Sequence, residues 1–194
     1  MNHQSYYPLK FDTRHLRVYV WRIIESLHKL PRTGYKDRGV ENPETVGEHS
    51  DEVVAIAEEY FAHIPGLGEM LRIHDWPKSK KEVGDRRTDS LCPPERRWSL
   101  TEKYEAELAA MEEIAQDMGP DGQRILQLWK EFDAGETERA KLANQIDKFQ
   151  MIRKSIRYQK EGQPVIAQEF INSSGHFITD PILKQMMDKA IAEL

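Results

Sequence analysis

Hydrophobic residues recur at spacings of three and four along most of this chain, which is the period of amphipathic helices. Thr45 and Ser99 each precede a glutamate by three residues, the spacing of a capping box at a helix start. Asp180 followed by Pro181 is typical of another helix start. We therefore expect helices over residues 13–29, 45–63, 67–75, 99–118, 125–132, 137–158 and 181–194. No run alternates between apolar and polar residues and ends in hairpin turns, so the sequence predicts an all-α fold.

Three stretches between these helices lack a clear period, namely residues 31–44, 76–98 and 161–178. The first is a polar connection rich in turn residues, and the last is mixed. The middle stretch is long for a compact helical domain, and loops of that length tend to be functional or mobile. Residues 76–103 hold eight Lys or Arg against five Asp or Glu, a net charge of +3. This segment is either a basic flap over an anionic substrate or a polar mobile loop.

Composition restricts the class of protein. With 194 residues, of which 39% are hydrophobic, the chain is expected to form one domain. No segment approaches the roughly 20 apolar residues of a transmembrane helix, and the N-terminus lacks the pattern of a secretory signal. A single cysteine, Cys92, excludes an internal disulfide framework and a multi-cysteine zinc site, and we expect a cytoplasmic protein. Because the net charge is −5, we expect no nucleic-acid partner, and we expect no membrane partner either.

Histidine and aspartate residues in three separate predicted helices are the candidate chemistry. His49 lies in the first turn of one predicted helix. His74 and Asp75 end another, and Asp147 lies at the buried edge of a third. Burying an unpaired carboxylate is costly, so Asp147 needs a partner. A divalent metal ion is one such partner and an arginine or lysine is another, and the residues alone leave both open.

The ordered set His49, His74-Asp75 and Asp147 resembles the metal-binding signature of the HD-domain phosphohydrolases. PRTGYKDRGVENPETVGEHS and LWKEFDAGETERAKLANQIDKFQMI resemble the segments around the first and last ligands in the 5′-deoxynucleotidase branch of that family. FINSSGHFITDPIL is similar to the C-terminal part of its eukaryotic-type members. The resemblance implies a homodimer and an all-α HD-domain helical bundle with additional C-terminal helices. It also implies a single HD domain over residues 1–194, with a core over about 14–160 and an extension over 161–194.

The resemblance further implies one divalent metal ion, bound by His49, His74, Asp75 and Asp147. Two imidazoles and two carboxylates suit Mn²⁺, Co²⁺, Fe²⁺ or Zn²⁺ better than Ca²⁺. The implied activity is removal of the 5′-phosphate from deoxyribonucleoside monophosphates, so the implied partner is a small nucleotide. By the same resemblance Arg32 contacts the substrate. Arg38, in the same loop, is either a second phosphate clamp or a solvated charge.

The loop after Asp75 departs from the family pattern. Members of the branch have a glutamate three residues after that aspartate, acting as a general acid or base, and Lys78 stands there instead. The Lys78 ammonium is left to bind phosphate or to neutralise a nearby charge. Glu82 is a candidate replacement, and Asp85 matches an aspartate expected near the leaving oxygen or the ribose. Trp76 either stacks on a nucleobase or fills the core.

This departure leaves three alternatives open, because general acid or base groups contribute about 10²–10⁴-fold to a rate. The first is the same reaction by a rerouted mechanism. The second is hydrolysis of another nucleotide, such as a deoxynucleoside triphosphate. The third is a catalytically weak relative that binds nucleotides.

Overall fold

The computed structural model describes residues 14–89 and 92–194, and its described helices form a bundle. Residues 1–13 lie outside the described residues. They include the expected start of the first helix and most of the N-terminus in which a secretory signal would lie. The helices are α1 (Arg14–Leu27), α2 (Thr33–Lys36), α3 (Val46–Tyr60), α4 (Leu67–Ile73), α5 (Leu100–Met118), α6 (Pro120–Ala134), α7 (Glu138–Lys160), α8 (Ala167–Ser174) and α9 (Pro181–Ala192). Short 3₁₀ turns follow α4 and α8, at Trp76–Ser79 and Gly175–Phe177.

The all-α class is confirmed for the described part of the chain. Its only β-structure is an isolated bridge between Pro31 and Thr45. No helix in the described ranges combines the length and the apolar character needed to cross a membrane.

The predicted helix starts are confirmed by their side-chain caps. The Thr45 hydroxyl accepts a hydrogen bond from the backbone N–H of Glu48 at 3.1 Å, and the Glu48 carboxylate accepts one from the backbone N–H of Thr45 at 2.7 Å. Ser99 forms the same reciprocal pair with the glutamate three residues on, and the Asp180 carboxylate caps α9. A cap contributes about 1 kcal/mol. The one at Thr45 also fixes the first turn of α3, where His49 lies.

Helix boundaries differ from the expected ones where the helical pattern is short or begins in a turn. α2 lies inside the stretch 31–44, and its four residues are too few to show a period. α6 begins directly at Pro120, because Gly119 adopts a φ of 64° and lets the chain reverse within one residue. α8 occupies part of the mixed segment 161–178. α4 ends at Ile73, two residues earlier than expected.

The long helix α7 is the centre of the bundle. α3, α4, α6, α8 and α9 pack against it, and its buried face carries Ile146, Phe149 and Ile152. Burying one side chain of this size stabilises the fold by roughly 1.5–3 kcal/mol. The start of α3 approaches the end of α1 closely, since a Cβ at Gly47 would lie 2.7 Å from the backbone nitrogen of His28. This packing brings the start of α3, the end of α4 and the middle of α7 together.

The described residues of the segment 76–98 are anchored to the bundle at several points. Val83, Arg87 and Cys92 are buried. The Arg87 guanidinium ion-pairs with Asp37 at 2.9 Å, which ties the segment to the turn after α2. The segment therefore forms a wall next to the site described below.

Candidate metal centre and substrate cavity

The predicted metal ligands converge where α3, α4 and α7 meet. His49 Nε2 lies 3.0 Å from Asp147 Oδ1, and His74 Nε2 lies 3.4 Å from Asp75 Oδ2. One possible ligand atom from each of His49, His74 and Asp147 lies within 4.8 Å of the others. Packing of α3 and α4 against α7 thus joins residues that are distant in the sequence.

Both imidazole rings present the same nitrogen to this cluster. Nδ1 of His49 lies 2.6 Å from the side-chain oxygen of Gln150, and Nδ1 of His74 lies 2.6 Å from the backbone oxygen of Leu71. Since a carbonyl oxygen can only accept, Nδ1 carries the proton and donates in both rings. Nε2 of each ring therefore offers a lone pair to the cluster. This is the arrangement in which histidine binds a metal ion through Nε2.

The cluster consists of acceptors that face one another. Nε2 of His49, Nε2 of His74 and Oδ2 of Asp75 are buried and make no hydrogen bond with any described residue. The 3.0 Å approach of His49 to Asp147 lacks hydrogen-bond geometry. Buried lone pairs without a donor are costly unless a cation lies between them. These side chains therefore fit a divalent metal ion.

The pKa shifts of His74, Asp75 and Asp147 agree with that fit. Burial lowers the pKa of His74, so its ring is neutral near pH 7. Burial alone would raise the pKa of Asp147, but Lys148 and the two imidazoles hold it well below its ordinary value. Burial would also raise the pKa of Asp75, but His74 and Lys78 hold it below its ordinary value. Neutral imidazoles and ionised carboxylates are the forms that bind metal ions.

The cluster opens into a cavity of about 480 Å³, a volume in the range of small-molecule sites. Three of the four predicted ligands line it, namely His74, Asp75 and Asp147. Its other walls combine cationic, acidic and aromatic side chains from several elements, including Arg32, Lys78, Asp85, Glu107, Phe132 and Phe170. The cavity can thus accommodate an anionic group beside an aromatic one.

Lys78 lies in this cavity between two carboxylates. Its Nζ is 2.9 Å from Asp75 Oδ1 and 3.1 Å from Asp85 Oδ1, and its side chain is only 12% exposed. Burial would lower the pKa of Lys78, but these carboxylates raise it above its ordinary value. Asp85 also accepts a hydrogen bond from the backbone N–H of Thr33 at 2.6 Å. Burial would raise the pKa of Asp85, but Lys78 and Arg32 hold it below its ordinary value.

The two candidate phosphate arginines differ in their partners. Nη1 of Arg32 is buried at the cavity wall and has no hydrogen-bond partner in the described part of the chain. The Arg38 guanidinium ion-pairs with Glu169 at 3.1 Å and donates to the Gly34 carbonyl at 2.7 Å. It also lies over the ring of Phe170. Arg32 therefore has free donor capacity, whereas most of the capacity of Arg38 is used.

The structure does not bring two of the predicted site residues to the cavity. Trp76 is fully buried and is not among the described residues that line it. Trp76 therefore fills the core and does not stack on a nucleobase. Glu82 is exposed and is likewise outside the described cavity wall. The turn after Asp75 directs Lys78 and Asp85 inward and Glu82 outward, so Glu82 does not replace the missing glutamate.

The structure adds cavity residues that the sequence reasoning missed. Glu107 on α5 lines the cavity, with its carboxylate 3.7 Å from Lys103 Nζ. Burial raises the pKa of Glu107, and the two nearby lysines, Lys103 and Lys78, oppose this only in part. α8 contributes Phe170 to another wall. Glu107 carries a signal in the sequence, since it is an acidic residue four positions before Met111 on the apolar stripe of α5.

Comparisons of sequence agree with this geometry. A family model described as an HD domain matches residues 24–186. The 5′-deoxynucleotidase HDDC2 of Mus musculus is 28% identical over 177 residues, covering 89% of this chain and 85% of that protein. The protein of the same name from Homo sapiens is 27% identical over 177 residues, covering 89% and 83%. The 5′-deoxynucleotidase hdd1 of Schizosaccharomyces pombe is 26% identical over 182 residues, covering 88% and 86%.

Two solved structures share the fold. The PH0347 protein from Pyrococcus horikoshii OT3 aligns with a TM-score of 0.66 at 20% identity, covering 91% of this chain and 96% of that one. A conserved hypothetical protein from Pyrococcus furiosus aligns with a TM-score of 0.64 at 22% identity, covering 91% and 99%. The arrangement of helices is therefore common to nearly the whole of both proteins.

Proposed function

This chain belongs to the HD domain family, and from that premise we propose that it is a metal-dependent phosphohydrolase that removes the 5′-phosphate of deoxyribonucleoside monophosphates. The observation that carries the proposal is the buried cluster of unpaired acceptors on His49, His74 and Asp75, which opens into a cavity with cationic walls. The names of the curated relatives support both the reaction and the substrate class.

One divalent ion would be held by His49, His74, Asp75 and Asp147. Two imidazole nitrogens and two carboxylates favour Mn²⁺, Co²⁺, Fe²⁺ or Zn²⁺. When bound, such an ion lowers the pKa of a coordinated water and offsets negative charge on the phosphoryl group. The protein's own contribution is to hold these side chains in place before substrate arrives, because His49, His74 and Asp75 are buried and the Asp147 side chain is only 17% exposed.

Arg32 and Lys78 bind the phosphate group. Nη1 of Arg32 is free to donate to a phosphate oxygen, and a hydrogen bond to a charged group contributes about 1.5–3 kcal/mol. The Lys78 ammonium has three donors, of which two face Asp75 and Asp85, so one remains for a substrate oxygen. These cations offset the charge of a phosphate monoester in a chain whose net charge is −5.

Glu107 takes over proton transfer from the glutamate that the family pattern has in place of Lys78, which acts there as a general acid or base. It lines the same cavity as Lys78 and is largely buried, which favours its protonated form. A carboxylic acid at this wall can protonate the leaving 5′-oxygen. Asp85 is ionised and held by Lys78 and Thr33, so it is suited to accept a hydrogen bond from a sugar hydroxyl.

A nucleotide panel tests the proposed reaction. Metal-depleted and Mn²⁺-loaded protein are incubated with dNMPs, NMPs and dNTPs, and the products are identified by mass. We expect deoxynucleoside and inorganic phosphate from dNMPs, and only with metal. Absence of turnover by the loaded protein, in an assay where a control nucleotidase is active, would contradict the proposal. Release of triphosphate from dNTPs would instead support a triphosphohydrolase.

A catalytically weak nucleotide-binding relative is the second candidate, favoured by the lysine at position 78. The variant Lys78→Glu separates the two. If the variant hydrolyses nucleotides and the natural chain does not, the natural chain is a nucleotide-binding relative. If the natural chain already turns nucleotides over, this second candidate is excluded. The homodimer, the cytoplasmic location and the division near residue 160 into core and extension stay predictions.

A further inference from the structure

A fully buried glutamine lies beside the metal ligands on α7. Gln150 is three residues after Asp147, on the same helix face, and its exposure is 0%. Its side-chain oxygen accepts the hydrogen bond from Nδ1 of His49 at 2.6 Å. Its amide nitrogen donates to Glu52 at 2.7 Å and to Glu44 at 3.0 Å. The amide therefore uses both of its donors and at least one acceptor site inside the protein.

These contacts allow only one orientation of the amide. A flipped Gln150 would place its NH₂ group against the Nδ1–H of His49 and its oxygen against two carboxylates, which would break all three hydrogen bonds. Glu44 and Glu52 thus decide which end of Gln150 faces the histidine. The Gln150 oxygen then keeps the His49 proton on Nδ1, which leaves the Nε2 lone pair for the metal centre.

The two glutamates are themselves held by cations. Nζ of Lys154, one helical turn after Gln150, lies 3.2 Å from Glu44 Oε2 and 3.7 Å from Glu52 Oε1. Arg153 lies 3.4 Å from Glu52. Burial would raise the pKa of Glu52, but Gln150 and Lys154 hold it below its ordinary value. Glu52 is therefore an ionised acceptor, and hydrogen bonds to ionised acceptors are the strong ones.

The second histidine is oriented in a different way. Nδ1 of His74 donates to the backbone carbonyl of Leu71, which no substitution of a side chain removes. Nδ1 of His49 depends on a side chain. We propose that Gln150 is the positioning residue of the metal centre, fixing the tautomer and ring orientation of His49 for metal binding. This inference shares with the proposed function only the requirement for a metal ion at the cluster.

The first test is the Mn²⁺ affinity of Gln150→Leu, measured by calorimetric titration of the metal-depleted full chain. Leucine occupies a similar volume but leaves the His49 Nδ1 proton without an acceptor. Hydrogen bonds to metal ligands typically contribute 10–100-fold to metal affinity, and we expect Kd to rise by about that factor.

Gln145→Leu is the matched control. Gln145 lies on the same helix and accepts hydrogen bonds from the backbone of Thr179 and Asp180, away from the cluster. We expect the Mn²⁺ Kd of this variant to equal that of the natural chain. An equal loss in both variants would overturn the proposal, because the effect would then be a general response of α7.

Exchanging the side-chain types of Gln150 and Glu44 tests the mechanism, because it keeps a hydrogen bond between these two positions. Gln150→Glu alone places a third carboxylate against Glu44 and Glu52, and we expect weaker Mn²⁺ binding. Adding Glu44→Gln supplies an amide donor to the new carboxylate, which still faces Glu52, so the double variant is expected to recover part of the lost affinity. No recovery would overturn the proposal. These single and double variants also test the proposal if Gln150→Leu does not fold.

Nitrogen-15 spectra of the metal-free chain give a readout that does not involve metal or activity. We expect His49 to carry its proton on Nδ1 in the natural chain and to populate both tautomers in Gln150→Leu. An unchanged tautomer in the variant would overturn the proposal. A chain that binds Mn²⁺ in a Gln150-dependent way but hydrolyses no nucleotide would support this inference and contradict the proposed function, so the two failures are distinguishable.

Discussion

Two neighbouring regions, one around the two histidines and one around Lys78, differ in whether their acceptor atoms are paired with a donor. Around His49 and His74 the unpaired atoms are acceptors, and three of them are buried without a hydrogen bond to the described residues. Around Lys78 an ammonium and two carboxylates form ion pairs at 2.9 and 3.1 Å. The first part therefore has three buried acceptors without a donor among the described residues, whereas Lys78 is the cation of the second part.

Asp75 belongs to both parts. Its Oδ2 faces Nε2 of His74, and its Oδ1 pairs with Lys78. One oxygen thus remains for a metal ion while the other is neutralised by the lysine. A lysine in the place of the glutamate expected from the family pattern therefore changes the charge of the cavity without occupying the Asp75 oxygen proposed to bind a metal ion.

Removing the lysine is expected to have the largest effect. Lys78→Met leaves Asp75 and Asp85 without their cation, and breaking a buried pair by removing one partner costs about 3–5 kcal/mol of stability. Urea unfolding of the metal-free chain measures this loss. The control is Lys80→Met, which removes a more exposed pair with Glu113 and is expected to cost at most about 1 kcal/mol. Equal losses of stability in the two variants would show that the ion pairs of Lys78 contribute no more than the exposed pair of Lys80.

The ion pair between Lys78 and Asp85 also predicts that the stability of the fold depends on pH. The pKa of Asp85 is held below its ordinary value, so the folded chain binds this proton less tightly than the unfolded chain. Its contribution to stability is complete above the unfolded value of about 3.9 and is lost as the pH falls through the folded pKa. Unfolding of the metal-free chain at several acidic pH values should show a shallower loss in Lys78→Met than in the natural chain. Parallel curves would contradict the pairing.

Glu107→Gln is expected to have the next largest effect. The variant keeps the shape of the side chain but cannot donate its proton, so kcat for dNMPs should fall by about 100-fold or more. The Mn²⁺ Kd should not change. An aryl phosphate, whose leaving group needs no proton, should lose far less activity. The control is Glu105→Gln on the exposed side of α5. Equal losses with both substrates would remove Glu107 from the role of proton donor.

Arg32→Lys tests the free donor next to the Lys78 pairs. Lysine keeps the charge but not the forked donors, so kcat/KM for dNMPs should fall by about tenfold or more. Inhibition by inorganic phosphate should weaken by a similar factor, because the lost contact is to phosphate. Unchanged inhibition would show that Arg32 does not contact the phosphate group.

The smallest effect is expected from Arg38→Ala. Arg38 already pairs with Glu169 and donates to the Gly34 carbonyl, so little of its donor capacity is left for a phosphate group. KM for dNMPs should therefore change less than in Arg32→Lys. A larger rise in KM would make Arg38 the main phosphate clamp and reverse the order of the two arginines.

The sequence predicted what depends on local interactions. Helix periods and the capping residues Thr45, Ser99 and Asp180 depend on neighbours along the chain, and the structure confirms these starts. The direction of side chains in the turn after Asp75 depends on how that turn packs against distant helices. The sequence therefore could not show that Glu82 lies outside the cavity.

Buried polar residues are only partly predictable from the sequence. Glu107 and Gln150 occupy apolar stripes of their helices, and a polar group there needs a partner. That signal indicates that a contact exists but not with which residue. Glu44, one of the hydrogen-bond partners of Gln150, lies 106 positions away, so only the packed structure identifies it.

The central claim is that His49, His74, Asp75 and Asp147 bind one metal ion. Anomalous diffraction at the manganese edge, from crystals of the full chain grown with Mn²⁺, tests it most directly. The account predicts a single strong peak in contact with Nε2 of both histidines and with both carboxylates. A peak elsewhere, or no peak among these four side chains at saturating Mn²⁺, would contradict it.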